Sequence, residues 1–244
     1  FQYNPLTSFY SFFQAFTYDG GVPGGNGCTV DVFNDRILFK AASFSNFEQY
    51  YFNGTAFEPV PGQPILGAGG LGLGTVFNGD DMEFFVTSGF GPAGFRKYSF
   101  ETLCSPMVLE QVVVDGSSVL YYDIDLGINK EIGVASSDAG GSRVYIYDRA
   151  PGGLNPAITQ TVGPSGTMDE FDFATLRFGD VTRGTLTVAD AFFFDMTTFQ
   201  QGRTYNYELS GGSYVFYAEY GSFPPASTTG ISDAVALASS KGGS

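Results

Sequence analysis

Thr204-Tyr-Asn-Tyr-Glu-Leu209 and Ser213-Tyr-Val-Phe-Tyr-Ala218 decide the fold class. Each run alternates in polarity, as a strand with one wet face does, and Gly211-Gly212 stands between them as turn chemistry. The same alternation recurs at Cys28-Thr-Val-Asp-Val-Phe33 and Ser142-Arg-Val-Tyr-Ile-Tyr147. Met82–Val86, Gln111–Val114, Val119–Tyr122 and Ala191–Asp195 are further strand candidates. Asp19-Gly20, Asn78-Gly79, Asp115-Gly116 and Gly152-Gly153 supply more turns. Val112 to Tyr122 reads as a hairpin closed by Asp115-Gly116. Strand-like runs at roughly ten-residue spacing are the rhythm of a sandwich or barrel.

Helical periodicity is confined to Ser232–Lys241, where Ser232 or Asp233 supplies a cap and Gly242 a stop. So short a helix is unstable alone in water and needs a surface to lean on.

Segments of the two halves match in order. Gly27–Arg36 resembles Gly141–Arg149, Asn53-Gly-Thr55 resembles Ser165-Gly-Thr167, and Gly74–Phe84 resembles Gly184–Phe194. Arg96-x-Tyr98 then resembles Arg203-x-Tyr205. These matches predict an internal duplication of roughly 110 residues. The expected architecture is all-β: two tandem β-sandwich modules and a short C-terminal helix. The first module spans 1–126 and carries an aromatic N-terminal arm. The second spans 127–222, and 223–244 form the tail.

Composition limits function. Lys and Arg number 11 against 25 Asp and Glu, a formal charge of −14. A nucleic-acid binder needs a basic face, and an anionic membrane surface attracts cations, so both are disfavoured as partners. The chain has no His, which removes the commonest general base and zinc ligand and every Ser-His-Asp arrangement. No apolar run is long enough for a transmembrane helix. Phe1–Tyr18 lacks the basic and apolar regions of a signal peptide. The expectation is a chain whose leader has been removed, or one that starts at an internal point.

Gly67-Ala-Gly69-Gly-Leu-Gly72 satisfies GxGxxG, but turn and strand text flank it where a dinucleotide site needs a strand and a helix. The acidic runs Asp80-Asp81-x-Glu83, Asp123-x-Asp125 and Asp169-Glu170-x-Asp172 read first as a solvated rim. Loop calcium is the alternative at Asp80, Asp81, Glu83, Asp169, Glu170 and Asp172, although none fits the EF-hand spacing. Paired carboxylates suit glycoside hydrolysis, yet sugar platforms usually use Trp, and the chain has none. No catalytic residue, cofactor or resident metal is therefore expected. Asn53-Gly-Thr55 is a glycosylation sequon. Cys28 and Cys104 form a disulfide in an oxidising compartment or two buried thiols in a reducing one.

Phe9, Tyr10, Phe12, Phe13 and Phe16 crowd the N-terminal arm. One reading makes the arm the first strand of the front sheet. The other docks it on a neighbouring subunit. Phe223-Pro-Pro225, followed by Val235 and Leu237, suggests a second docking element.

A β-rich body with matching halves, no catalytic set and Phe1 make the chain resemble the pyrenoid shell proteins of diatoms and related algae. Mature plastid proteins of such algae often begin with Phe once the transit peptide is gone. The resemblance implies a self-assembling protein that tiles into a sheet around the Rubisco condensate in the chloroplast stroma. It further implies that Cys28 and Cys104 are free thiols. The expected function is non-enzymatic assembly into a sheet, tube or shell, with other copies of the chain as partners. Two alternatives are an extracellular glycan-binding module, with a Cys28–Cys104 disulfide and a glycan on Asn53, and a jelly-roll coat subunit of a virus or filament.

Overall fold

In the computed structural model, alternation along the chain becomes a series of antiparallel meanders. The structure describes residues 2–15, 28–33, 36–41, 46–61, 65–66, 74–78, 81–88, 94–102, 104–114, 120–137, 142–150, 153–154, 157–164, 174–179, 184–190 and 203–220. β1 (Gln2–Asn4) and β2 (Phe9–Ser11) form a separate hairpin. The first large sheet is β3 (Cys28–Phe33), β4 (Arg36–Ala41), β5 (Asn46–Phe52) and β6 (Phe57–Pro59), with β7 (Ile65–Leu66) also paired to β5. The second is β8 (Thr75–Asn78), β9 (Glu83–Ser88), β10 (Gly94–Ser99) and β11 (Val108–Val114). The third opens with β12 (Leu120–Leu126), β13 (Ile132–Ser137) and β14 (Ser142–Tyr147). A small hairpin of β15 (Arg149–Ala150) and β16 (Gly153–Leu154) follows, and β17 (Gln160–Val162) returns to β14. The fourth sheet is β18 (Ala174–Gly179), β19 (Thr185–Asp190), β20 (Arg203–Ser210) and β21 (Ser213–Tyr220). The described fold is all-β.

The third sheet is apolar on both faces, which explains its position. Ile132, Val134, Tyr145 and Tyr147 pack with Val76, Phe85, Phe95 and Val113 of the second sheet. Ala135, Val144, Ile146 and Val162 point the other way, onto Leu176, Phe178, Leu186, Val188, Tyr205 and Tyr207 of the fourth. Period-2 geometry sends neighbouring residues to opposite faces, so one strand feeds two cores. The second sheet repeats the pattern: Phe85 enters the core shared with the third sheet, while Phe84, Val86, Tyr98, Phe100 and Met107 form a separate core. The first strands of successive sheets lie side by side, β3 against β8, β8 against β12 and β12 against β18.

Close approach at β12 is enforced by glycine and by acid. A Cβ on Gly74 would lie 2.7 Å from the Asp123 Cα, so only glycine lets the start of β8 pass β12. On the other side of β12, the Asp123 carboxylate accepts the Leu176 amide at 2.9 Å and the Asp125 carboxylate accepts the Phe178 amide at 2.8 Å. Both acids therefore satisfy backbone donors along β18, whose other edge pairs with β19.

Several sequence expectations change. Val112–Tyr122 is not a hairpin: β11 closes the second sheet and β12 opens the third. An exposed edge strand and a strand buried on both sides cannot be partners here, and the segment is a crossover between sheets. A boundary at 126/127 falls in the turn between β12 and β13, which pair from Leu120↔Ser137 to Leu126↔Ile132. The matched halves do not align by position. The Gly27 segment feeds β3, the first strand of its sheet, whereas the Gly141 segment feeds β14, the third of its own. Likewise Gly74–Phe84 begins with β8, a first strand, and Gly184–Phe194 with β19, a second. Each of the four large sheets is a meander, and their first strands start at Cys28, Thr75, Leu120 and Ala174. Ala191–Asp195 and the helix expected over Ser232–Lys241 lie outside the described residues.

Candidate functional site: an exposed aromatic arm

The arm is a hairpin joined to the body at its base. Tyr3 pairs with Tyr10 and Asn4 with Phe9 across the Pro5–Ser8 turn. Ser8 adopts a left-handed φ of +56°, which lets so short a connection reverse the chain. Among the described residues β1 pairs only with β2, so the arm is a separate hairpin and not the first strand of the front sheet.

Its attachment is specific. The Gln14 side chain acts as a strand residue would: its Nε2 donates to the Phe57 carbonyl at 3.0 Å and its Oε1 accepts the Phe57 amide at 2.8 Å. Beside it Phe13 is half-buried against Phe52 and Phe57, with ring centroids at 6.1 and 6.4 Å. The receiving β5–β6 hairpin is held by an Asx turn in which Asn53 Oδ1 accepts the amides of Thr55 and Ala56. Asn53 Nδ2 donates to Glu58, so the sequon amide already has a partner in its exposed turn.

Beyond this anchor the apolar side chains face solvent. Leu6 is 94% exposed, Phe9 75%, Tyr10 71% and Phe12 70%. Isolated exposed apolar residues are ordinary, but four within seven residues make this tip unusually apolar, with Phe9 and Tyr10 on opposite faces of β2. Of the residues expected to mediate assembly, Phe9, Tyr10 and Phe12 are exposed, and Phe13 is the anchor. Phe16, Phe223, Val235 and Leu237 lie outside the described residues.

Two further apolar surfaces escaped the sequence reading. β11 exposes Val108, Leu109, Val112 and Val114, and β21 exposes Val215, Tyr217 and Tyr220. Each is the outermost strand of its sheet among the described residues. Each also carries a bulge, at Glu110 and at Tyr217, where the register with the inner neighbour shifts. Bulges interrupt the straight row of donors and acceptors that an incoming strand would extend. These strands offer apolar side chains more readily than a free backbone ladder. The outermost position of a strand is a property of topology, which local patterning does not report.

The acidic runs are structural where described. Glu83, 5% exposed, accepts from Lys97 at 2.8 Å, from Asn78 at 2.9 Å and from Arg149. Asp81 accepts from Lys130 and Asn78, each at 2.8 Å. Burial drives the Glu83 pKa upward, but hydrogen bonds from Arg149, Lys97 and Asn78 outweigh it and hold the carboxyl below its usual range. Asp81 is held low mainly by its bond from Lys130. Lys97 in turn holds Glu110 low across a 2.8 Å contact. Asp81 and Glu83 are thus matched by cations that calcium would have to displace. Asp80, Asp169, Glu170 and Asp172 lie outside the described residues, among which no group of three potential ligands is assembled. Asp123 is the opposite case: burial raises its pKa, against the opposing pull of Arg177 3.0 Å away.

Cys104 is a free, exposed thiol, where the reducing-compartment reading had it buried. A strand, β8, follows the GxGxxG segment in place of a phosphate-binding helix. No family model matches the chain, and no curated protein is similar to it.

Proposed function

We propose that this is a non-enzymatic structural protein that associates with further copies of itself, the β1–β2 arm of one copy docking on another. The observation that carries the reading is the arm itself: an anchored base at Phe13 and Gln14, and a projecting tip with Leu6, Phe9, Tyr10 and Phe12 in water. Burying one such aromatic side chain is worth about 1.5–3 kcal/mol, and a tip that presents several together gains that only against a partner surface. The exposed rows on β11 and β21 supply apolar surfaces of matching character.

A tip on one part of the molecule that meets a different surface on the next copy makes a heterologous contact, which closes into a ring or continues as a sheet or tube. The charge of −14 opposes assembly until salt screens it. For the finer architecture, we read the four meanders as blade-like units stacked about their first strands, an arrangement known from propellers, in place of two sandwiches. A shell around the Rubisco condensate of an algal chloroplast is the setting that the family resemblance suggests.

Negative-stain microscopy of the purified protein across a salt series tests this reading, with intact mass to establish the cysteine state. Ordered sheets, tubes or shells that appear as salt rises are the expected result. Isolated single particles at every salt concentration contradict it.

A further inference from the structure

Three asparagines of the chain precede glycine: Asn26, Asn53 and Asn78. Asn26 lies outside the described residues, Asn53 opens the turn between β5 and β6, and Asn78 ends β8. We infer that Asn53-Gly54 is a self-modification site, which converts to aspartate and isoaspartate with water as its co-reactant, and that the conversion loosens the seat of the arm. The chemistry does not depend on assembly of the protein.

The nucleophile is the Gly54 nitrogen, once base removes its proton. Among the described residues this amide has no hydrogen-bond partner, and nothing lies within 4 Å of where a Gly54 side chain would begin. Its φ of +98° is one that glycine adopts freely. The nitrogen bonds to Asn53 Cγ, the Cγ–Nδ2 bond breaks, and Nδ2 takes a proton from water and leaves as ammonia. Water then opens the cyclic imide at either carbonyl, which gives aspartate or isoaspartate. The negative charge that develops on Oδ1 during the attack meets donors already in place, the amides of Thr55 and Ala56, each at 2.9 Å. Asn53, Gly54 and Thr55 are all exposed, so water and base reach them.

Asn78 has the same sequence neighbour and the opposite surroundings. It is 6% exposed, and its Nδ2 donates to Asp81 at 2.8 Å and to Glu83 at 2.9 Å. Turning toward Gly79 would break both bonds, and the two carboxylates repel a developing oxyanion. At Asn53 the side-chain nitrogen makes one such bond among the described residues, to the exposed Glu58 at 2.6 Å. Conversion puts a carboxylate where this donor stood, beside the like charge of Glu58, and isoaspartate also lengthens the backbone of the turn by a methylene. Phe57, in the same hairpin, carries both Gln14 bonds and the Phe13 ring contact that anchor the arm. Distortion of the turn therefore falls on the anchor.

Unglycosylated protein held in mildly alkaline, low-salt buffer tests the proposal, with a chymotryptic peptide map that separates Asn53 from Asn78 by cleavage after Phe57. The Asn53 peptide is expected to gain the mass of amide-to-acid exchange about tenfold faster than the Asn78 peptide, or more, because breaking two charge-assisted bonds raises the barrier at Asn78. In urea, where those bonds are gone, the two rates are expected to converge. Converted protein, isolated by anion exchange, is expected to exchange the Phe57 amide hydrogen severalfold faster than the unconverted form. No conversion at Asn53, equal rates at the two sites in the folded protein, a rate gap that persists in urea, or unchanged exchange at Phe57 would each overturn it.

Discussion

The third sheet and the N-terminal arm use the same kinds of side chain and end in opposite environments. Tyr121, Tyr145 and Tyr147 are 0–6% exposed, and the hydroxyls of Tyr121 and Tyr147 meet at 2.7 Å inside the core. Phe9, Tyr10 and Phe12 are 70–75% exposed. Aromatic content does not separate the two regions, because both are rich in it. The difference is neighbours: β12–β14 have a sheet on each face, whereas among the described strands β2 pairs only with β1. Apolar area in the sheet is used to hold the chain together, whereas apolar area on the arm stays in contact with water.

Truncations should separate the two regions most sharply. Phe85→Ala removes a ring with no exposed surface and should cost about 3–5 kcal/mol in urea denaturation. Phe9→Ala should stay within about 0.5 kcal/mol. Equal costs would break the comparison. A smaller effect is expected at the β12–β18 seam. Asp123→Ala leaves the Leu176 amide without its acceptor and removes the ion pair with Arg177, and should cost about 1–3 kcal/mol.

Acid acts next, and with two signs. Asp81, Glu83 and Glu110 sit below their ordinary values in the folded protein, so their contribution is present above the unfolded pKa and is lost as pH falls through the folded one. Asp123 sits above its ordinary value, so the fold is favoured as it protonates and loses that contribution as pH rises through its folded pKa. The contact between the second and third sheets should therefore weaken below about pH 4.5, the ordinary glutamate value, while the β12–β18 seam resists. Thermal melts between pH 7 and acid should show this net loss, and Asp123→Asn should make it steeper. An unchanged slope in that variant would remove Asp123 from the account. The smallest stability effect belongs to the arm: replacing Phe9, Tyr10 and Phe12 together with serine should move the melt little, since each is a surface site worth about 0.5 kcal/mol or less.

Strands were legible in the sequence wherever one residue in two was apolar: Cys28–Phe33 and Ser142–Tyr147 are strands with the bounds expected. Their partition into sheets was not. The Asp115-Gly116 signal suits a hairpin and a crossover equally, and what separates them is burial of β12 by residues fifty positions away, such as Leu176 and Phe178. A bulge at Tyr122 adds to the difficulty: it brings Tyr121 and Ile124 onto one core, although strict alternation would part them. The arm was legible because five aromatics crowd into the eight residues from Phe9 to Phe16. The exposed rows on β11 and β21 could not, because exposure there follows from being last in a meander.

Sedimentation velocity of the wild-type chain and the Phe9→Ser/Tyr10→Ser/Phe12→Ser variant, from about 0.01 M to 0.15 M salt, tests self-association through the arm most directly. Over that range the screening length falls from about 30 Å to about 8 Å. The wild-type protein should shift from monomer to large species as salt rises, and the variant, equally well folded, should remain monomeric throughout. A wild-type protein that stays monomeric, or a variant that assembles alongside it, would contradict the account.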